Sequence, residues 1–125
     1  MKPLDFPFFP HIISQHAPAN IPLEGISSHL VQAGEQQFIF MSCDRDVEVD
    51  THTHNAQWGV VLDGEMELTI NSEPRTLRKG DSYFIEKDVP HSARIKAGYK
   101  DLTLFDQKDR YAAEQWAESA SVRVT

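Results

Sequence analysis

The chain has 125 residues, 40% hydrophobic and 25% charged, which suits one compact domain around a single core. A formal net charge of −7 argues against nucleic acid or an anionic membrane as partner, because both are met by Lys/Arg surfaces. No apolar run approaches the roughly 20 residues that span a bilayer, and the single cysteine, Cys43, excludes an intrachain disulfide and fits a reducing, cytoplasmic compartment.

Residues 1–20 carry Pro3, Pro7, Pro10 and Pro18 and are expected to form an irregular arm. Its opening is too broken by proline to be the apolar stretch of a signal peptide. Phe6, Phe8 and Phe9 are too apolar for a free tail and should pack onto the domain or a partner subunit. A β-domain is expected over 21–108, starting with a short extended piece from Ile21 to Gly25 that Pro22 restricts to an edge. A short strand from Leu30 to Ala33 is broken by Gly34-Glu35, and an aromatic strand follows from Gln37 to Cys43, where the cysteine reads as a small strand residue. After a turn at Asp44-Arg45-Asp46, Val47 and Val49 alternate with acidic residues and the strand runs on to His54. Gln57 to Leu62 is the next strand. Asp63-Gly64 between two apolar runs reads as a hairpin turn, followed by Glu65 to Ile70 with Met66, Leu68 and Ile70 inside. Turns at Asn71–Pro74 and Lys79–Asp81 bracket Arg75 to Leu77, then come Ser82 to Ile85, a loop from Glu86 to Pro90, Ala93 to Ile95, a turn at Ala97-Gly98, and a last strand from Asp101 to Phe105. Turns every six to twelve residues, with no helical period between them, predict an all-β sandwich or barrel. Only residues 109–125 break the pattern: Asp109 to Glu118 predicts a short helix capped by Asp106 or Asp109, with Tyr111, Gln115 and Trp116 on one face, followed by a tail.

The chemistry concentrates in Asp50-Thr51-His52-Thr53-His54-Asn55-Ala56-Gln57. In an extended strand, side chains at i and i+2 share a face, so His52 and His54 can offer imidazole nitrogens to one point. Gln57 can add an amide oxygen, and His91 supplies a third imidazole from a distant strand. This ligand pattern suits a metal site with open positions. One phase conflict stands in the way. If Val47 and Val49 face inward, strict alternation turns the histidines outward; a bulge near Asp50-Thr51 would restore the phase, or the valines pack outward against another sheet or subunit. Other constellations are weak. Asp44, Asp46, Glu48 and Asp50 lack the glycine and the distal glutamate of a calcium loop and read as a solvated acidic face. There is no G-x-S-x-G for a nucleophile elbow and no glycine-rich phosphate loop.

The stretch from Asp50 to His91 resembles the cupin superfamily, and within it a small single-domain cupin of the conserved-barrel type. The first motif of that family has two histidines one residue apart, then a glutamate, then a closing glycine; here His52, His54 and Gly64 fit. In the second motif, Gly80 and His91 fit at the family's separation. The departures are Gln57 for the glutamate, one residue closer to His54 than usual, Asp46 and Asp88 for glycines, Glu86 for a proline and Ile95 for an asparagine. The resemblance implies a double-stranded β-helix (jelly-roll) barrel holding one divalent ion (Fe, Mn, Ni, Zn or Cu) on His52, His54, Gln57 and His91. Open positions on such an ion would polarise a carbonyl, activate a water or, with iron, bind dioxygen. The cavity is expected to be lined by Phe38, Phe40, Trp58, Tyr83 and Phe105, with Tyr83 as a proton or hydrogen-bond donor and Arg94 holding a substrate carboxylate. Two functions follow: a metal-dependent isomerase, lyase or oxygenase acting on a small polar or carboxylated molecule, and a non-catalytic small-ligand-binding cupin. A homodimer is expected from the aromatic arm and the Val47/Val49 face.

Overall fold

The computed structural model describes residues 8–114. After a single helical turn, α1 (His11–Ser14), the chain is β throughout: β1 (Ile26–Ala33), β2 (Gln36–Cys43), β3 (Val47–His52), β4 (Gln57–Asp63), β5 (Glu65–Ile70), β6 (Glu73–Arg78), β7 (Ser82–Ile85), β8 (His91–Ile95) and β9 (Lys100–Phe105). They form two antiparallel sheets, one in the order β1-β2-β9-β4-β7 and the other β3-β8-β5-β6, closed on each other as a jelly-roll barrel. Among the described residues, no helix is long and apolar enough to cross a membrane.

Local chemistry accounts for the joints. Gly34 adopts φ 63 in the two-residue link that folds β1 onto β2. Asn71 and Ser72, at φ 51 and 68, make the left-handed pair that a tight hairpin between β5 and β6 requires. Pro74 lies in β6, which is an edge strand and tolerates a residue without an N–H. Asp63-Gly64 departs from expectation: β4 pairs with β7 and β9, whereas β5 pairs with β6 and β8, so the dipeptide turns a corner between sheets. Gly64 has φ 77, and a Cβ there would run into the backbone of Tyr99, so the corner needs glycine twice over.

The core lies between the sheets, with Cys43, Val47, Val61, Met66, Leu68, Leu77, Ile85, Ile95 and Tyr99 in one cluster and Ala19, Leu30, Ile39 and Phe105 in the other. Val47 is buried and Val49 packs against the same cluster. The register of β3 on β8 then slips between Val49 and His52, so the phase conflict is resolved by a bulge and the valines face inward. Ile21 to Gly25 forms a bend and turn in place of the expected strand, and the arm contains α1, so it is not wholly irregular. Residues 109–114 form a turn, and Ala113 bridges to Ala19; the expected helix is absent there, and its remainder, with Gln115 and Trp116, lies outside the described residues.

Candidate metal centre

His52 closes β3, His91 opens β8 directly opposite it, and His54 lies in the short link to β4. The loop between β7 and β8 is tied to this link: Asp88 N donates to the His54 carbonyl at 2.9 Å, with Asp88 at φ 64. The position where the resemblance expects glycine therefore keeps the glycine conformation, which Asp tolerates better than most residues. The outcome is one cluster. Ligand atoms of His52, His54 and His91 all lie within 4.8 Å of one another.

The donor set fits a metal ion. Each histidine places Nδ1 against a backbone carbonyl: Asp50 O at 2.8 Å for His52, Asn55 O at 2.6 Å for His54, and Val89 O at 2.9 Å for His91. A carbonyl only accepts, so Nδ1 carries the proton and Nε2 keeps its lone pair, the tautomer that a metal ligand needs. The Nε2 atoms of His54 and His91 stand 3.0 Å apart. Two lone pairs facing each other at this distance repel, and a cation held between them would relieve that repulsion. Burial pushes the His54 pKa down to about 4, helped by the positive Arg110 and opposed by the Asn55 carbonyl. His91 is lowered chiefly by burial as well. Both imidazoles are thus neutral and ready to coordinate at neutral pH.

The three histidines open into a barrel cavity of about 110 Å³. Of the other residues expected there, Gln57, Tyr83 and Phe105 line it, and the Phe105 ring centre lies 5.2 Å from that of His54. Gln57 Nε2 donates to the Tyr83 hydroxyl at 3.3 Å. Burial raises the Tyr83 pKa well above its ordinary value, so this phenol serves as a hydrogen-bonding group. Phe38, Phe40 and Trp58 do not line the cavity. Ile39 and Met41 face it from β2, which turns Phe38 and Phe40 onto the outer face, where Phe40 meets Phe9 of the arm at 5.7 Å. Gln57 faces it from β4, so its neighbour Trp58 points away and is 41% exposed. Arg94 is also misplaced by the sequence reading: His91, Ala93 and Ile95 face inward on β8, which leaves Arg94 outside beside Glu48 and Glu67.

A different arginine occupies the cavity. Arg110 packs over the rings of Tyr111 at 4.3 Å and Phe105 at 5.7 Å, and its Nε is buried without a hydrogen-bond partner among the described residues. Asp101 and Thr103 also reach the cavity from β9. Period two from Phe105, which the sequence reading did place inside, leads directly to both. Arg110 had no such signal, because it fell in the expected helix, where only Tyr111, Gln115 and Trp116 were given a shared face.

A profile described as a cupin domain matches residues 43–106, just over half of the chain. Among solved structures, the chain is similar to an RmlC-like cupin from Shewanella frigidimarina, at TM-score 0.67 and 21% identity over 86% of this chain and 94% of that one. It is similar to KdgF from Halomonas sp., at TM-score 0.66 and 20% identity over 87% and 96% of the two chains. Oxalate decarboxylase from Bacillus subtilis, as a deletion mutant, gives TM-score 0.67 and 18% identity over 84% of this chain and 31% of its own. At these identities the likeness is one of fold. No curated protein matches the chain.

Proposed function

The chain belongs to the cupin domain family, and from that premise we propose that it is a metal-dependent enzyme acting on a small carboxylated molecule, an isomerase or lyase. One observation carries this reading: three histidine Nε2 donors converge in the same cavity as a buried guanidinium nitrogen that has no partner among the described residues. His52, His54 and His91 would hold one divalent ion, with Gln57 as a neutral fourth ligand. Bound there, the ion supplies Lewis acidity to a coordinated oxygen. Oxalate decarboxylase of Bacillus subtilis, whose fold is similar, has Mn(II) centres.

Arg110 takes the role first expected of Arg94. Its planar fork pairs with a carboxylate through two charge-assisted hydrogen bonds, and the rings of Phe105 and Tyr111 hold the fork in place. The Tyr83 hydroxyl stays protonated and orients bound groups. The apolar lining from Ile39, Met66 and Leu68 keeps the cavity dry, which strengthens both polar contacts.

The test begins with metal analysis of protein purified without added metal. About one divalent ion per chain is expected, falling to a small fraction in His52→Ala, His54→Ala and His91→Ala. A screen of small hydroxy and keto acids with that metal follows, and Arg110→Ala should lose turnover of the acid found by about a hundredfold, as for removal of one charge-assisted contact of about 3 kcal/mol. Full metal content in the histidine variants would place the metal elsewhere. A second reading, a non-catalytic binder of such acids, is favoured by Tyr83, whose hydroxyl is engaged and held protonated; it predicts metal and ligand binding without turnover.

A further inference from the structure

Gln57 stands where the family resemblance expects a glutamate, and the structure gives its amide a definite setting. Gln57 Nε2 donates to the Tyr83 hydroxyl at 3.3 Å. The Tyr83 oxygen is the acceptor of this bond and the amide nitrogen its donor.

An amide nitrogen has no lone pair for a metal; only Oε1 can coordinate. Gln57 pairs in register with Phe105, whose ring lies against His54, so its side chain starts beside the histidine cluster. Resting on the metal reading above, we propose that Tyr83 is a positioning residue that holds the Gln57 amide with its nitrogen turned away and its oxygen offered to the ion. A glutamate would need no such device, since both of its oxygens coordinate. Gly59 supports the assignment. It lies opposite Tyr83 in the register, its φ is not in the left-handed region, and a Cβ there would overlap the Tyr83 hydroxyl and the ring carbon bearing it. Space for that hydroxyl is what the glycine provides.

The test titrates metal-free protein with Co(II) alone, reading affinity and the visible absorption of the bound ion. Tyr83→Phe keeps the ring and removes the acceptor; it should weaken Co(II) binding by about tenfold and alter the spectrum, the usual scale for an outer partner of a ligand. The urea midpoint of each metal-free variant, read beside the affinity, separates a folding defect from a change at the ligand. In Gln57→Glu protein, Tyr83→Phe should change affinity by less than about twofold, because either carboxylate oxygen serves. Equal losses with Gln57 in place and in the Gln57→Glu background would assign the effect to packing and overturn the inference, as would no loss in either. If Gln57→Ala binds Co(II) like the unaltered protein, this inference falls while the histidine site stands. If the histidine variants also bind it equally well, the metal reading falls too.

Discussion

At the scale of single residues, two buried titratable groups pull stability in opposite directions over one pH range. Burial raises Asp101 from its ordinary 3.8 to about 7, against a lowering by the Tyr99 hydrogen bond. Tyr99, Tyr83, Tyr111 and Cys43 feel its charge and are uncharged at neutral pH, and the cationic Arg110 lines the same cavity; burial pushes the Cys43 thiol up to about 12, with Asp101 adding to the effect. With a raised acid, the folded state holds the proton longer than the unfolded chain, so stability falls as pH rises from about 4 to about 7. His54 is lowered from 6.5 to about 4, so the unfolded chain takes the proton first and stability falls as pH drops through that window. The two slopes offset each other in the metal-free protein. Asp101→Asn should therefore show stability rising clearly with pH between about 4 and 6.5, and His54→Asn stability falling across it. Urea midpoints measured against pH decide the matter; an Asp101→Asn profile parallel to the unaltered protein would mean that the carboxyl is not held neutral by the fold.

At the scale of elements, the bulge in β3 and the corner at Gly64 organise the site. Without the bulge, the inward phase of Val47 and Val49 would send His52 away from His91. The corner carries the chain from β4, which holds Gln57, into the other sheet as β5, and β5 pairs with β8 and its His91. The glycines of the chain should accordingly differ in their tolerance of alanine. Gly34→Ala meets nothing within 4 Å and carries only the left-handed backbone penalty, about 1 kcal/mol. Gly64→Ala adds overlap with the Tyr99 backbone and should cost upward of about 3 kcal/mol. Thermal or urea unfolding of the two variants compares them directly; equal losses would contradict the close approach at the corner.

At the scale of the whole molecule, the sheet that carries Gln57 and Asp101 inward has an apolar outer face. Trp58 pairs across the strands with Phe84 on one side and Leu104 on the other, and Leu104 with Phe38. Trp58 is 41% and Phe84 57% exposed, and β7 is the edge of its sheet. The arm covers part of this face through Phe9, which packs edge-on against Phe40 and His29. Val47 and Val49, first expected to form the dimer contact, are spent on the core, so the contact moves to this face. We expect a second copy of the chain there. Sedimentation at micromolar concentration should give twice 14.2 kDa, and Trp58→Glu with Phe84→Glu should give the monomer. A monomer before substitution removes the expectation.

The sequence by itself determined the all-β class, most strand positions and the three histidines, because these rest on local signals: turn residues at short intervals, period-two alternation, and an H-x-H pair with a third histidine at a family spacing. Which face of a strand points inward was legible only where the two faces differ in polarity. In β2, Phe38 and Phe40 alternate with Ile39 and Met41, so both phases look alike and only the facing sheet selects one. In β9 the pattern inverts: Leu102 and Leu104 face out while Asp101 and Thr103 are buried, because the cavity with its few polar groups, and not a packed core, lies beneath that strand. Arg110 entered the cavity because the chain after β9 turns back beneath the barrel mouth and bridges to Ala19, a pairing between residues far apart in sequence that no local propensity encodes. The ligand types were thus written in the chain, whereas the partners that fix their tautomer, their orientation and their charge were decided by tertiary contact, since each is a backbone carbonyl or a buried side chain brought up by packing.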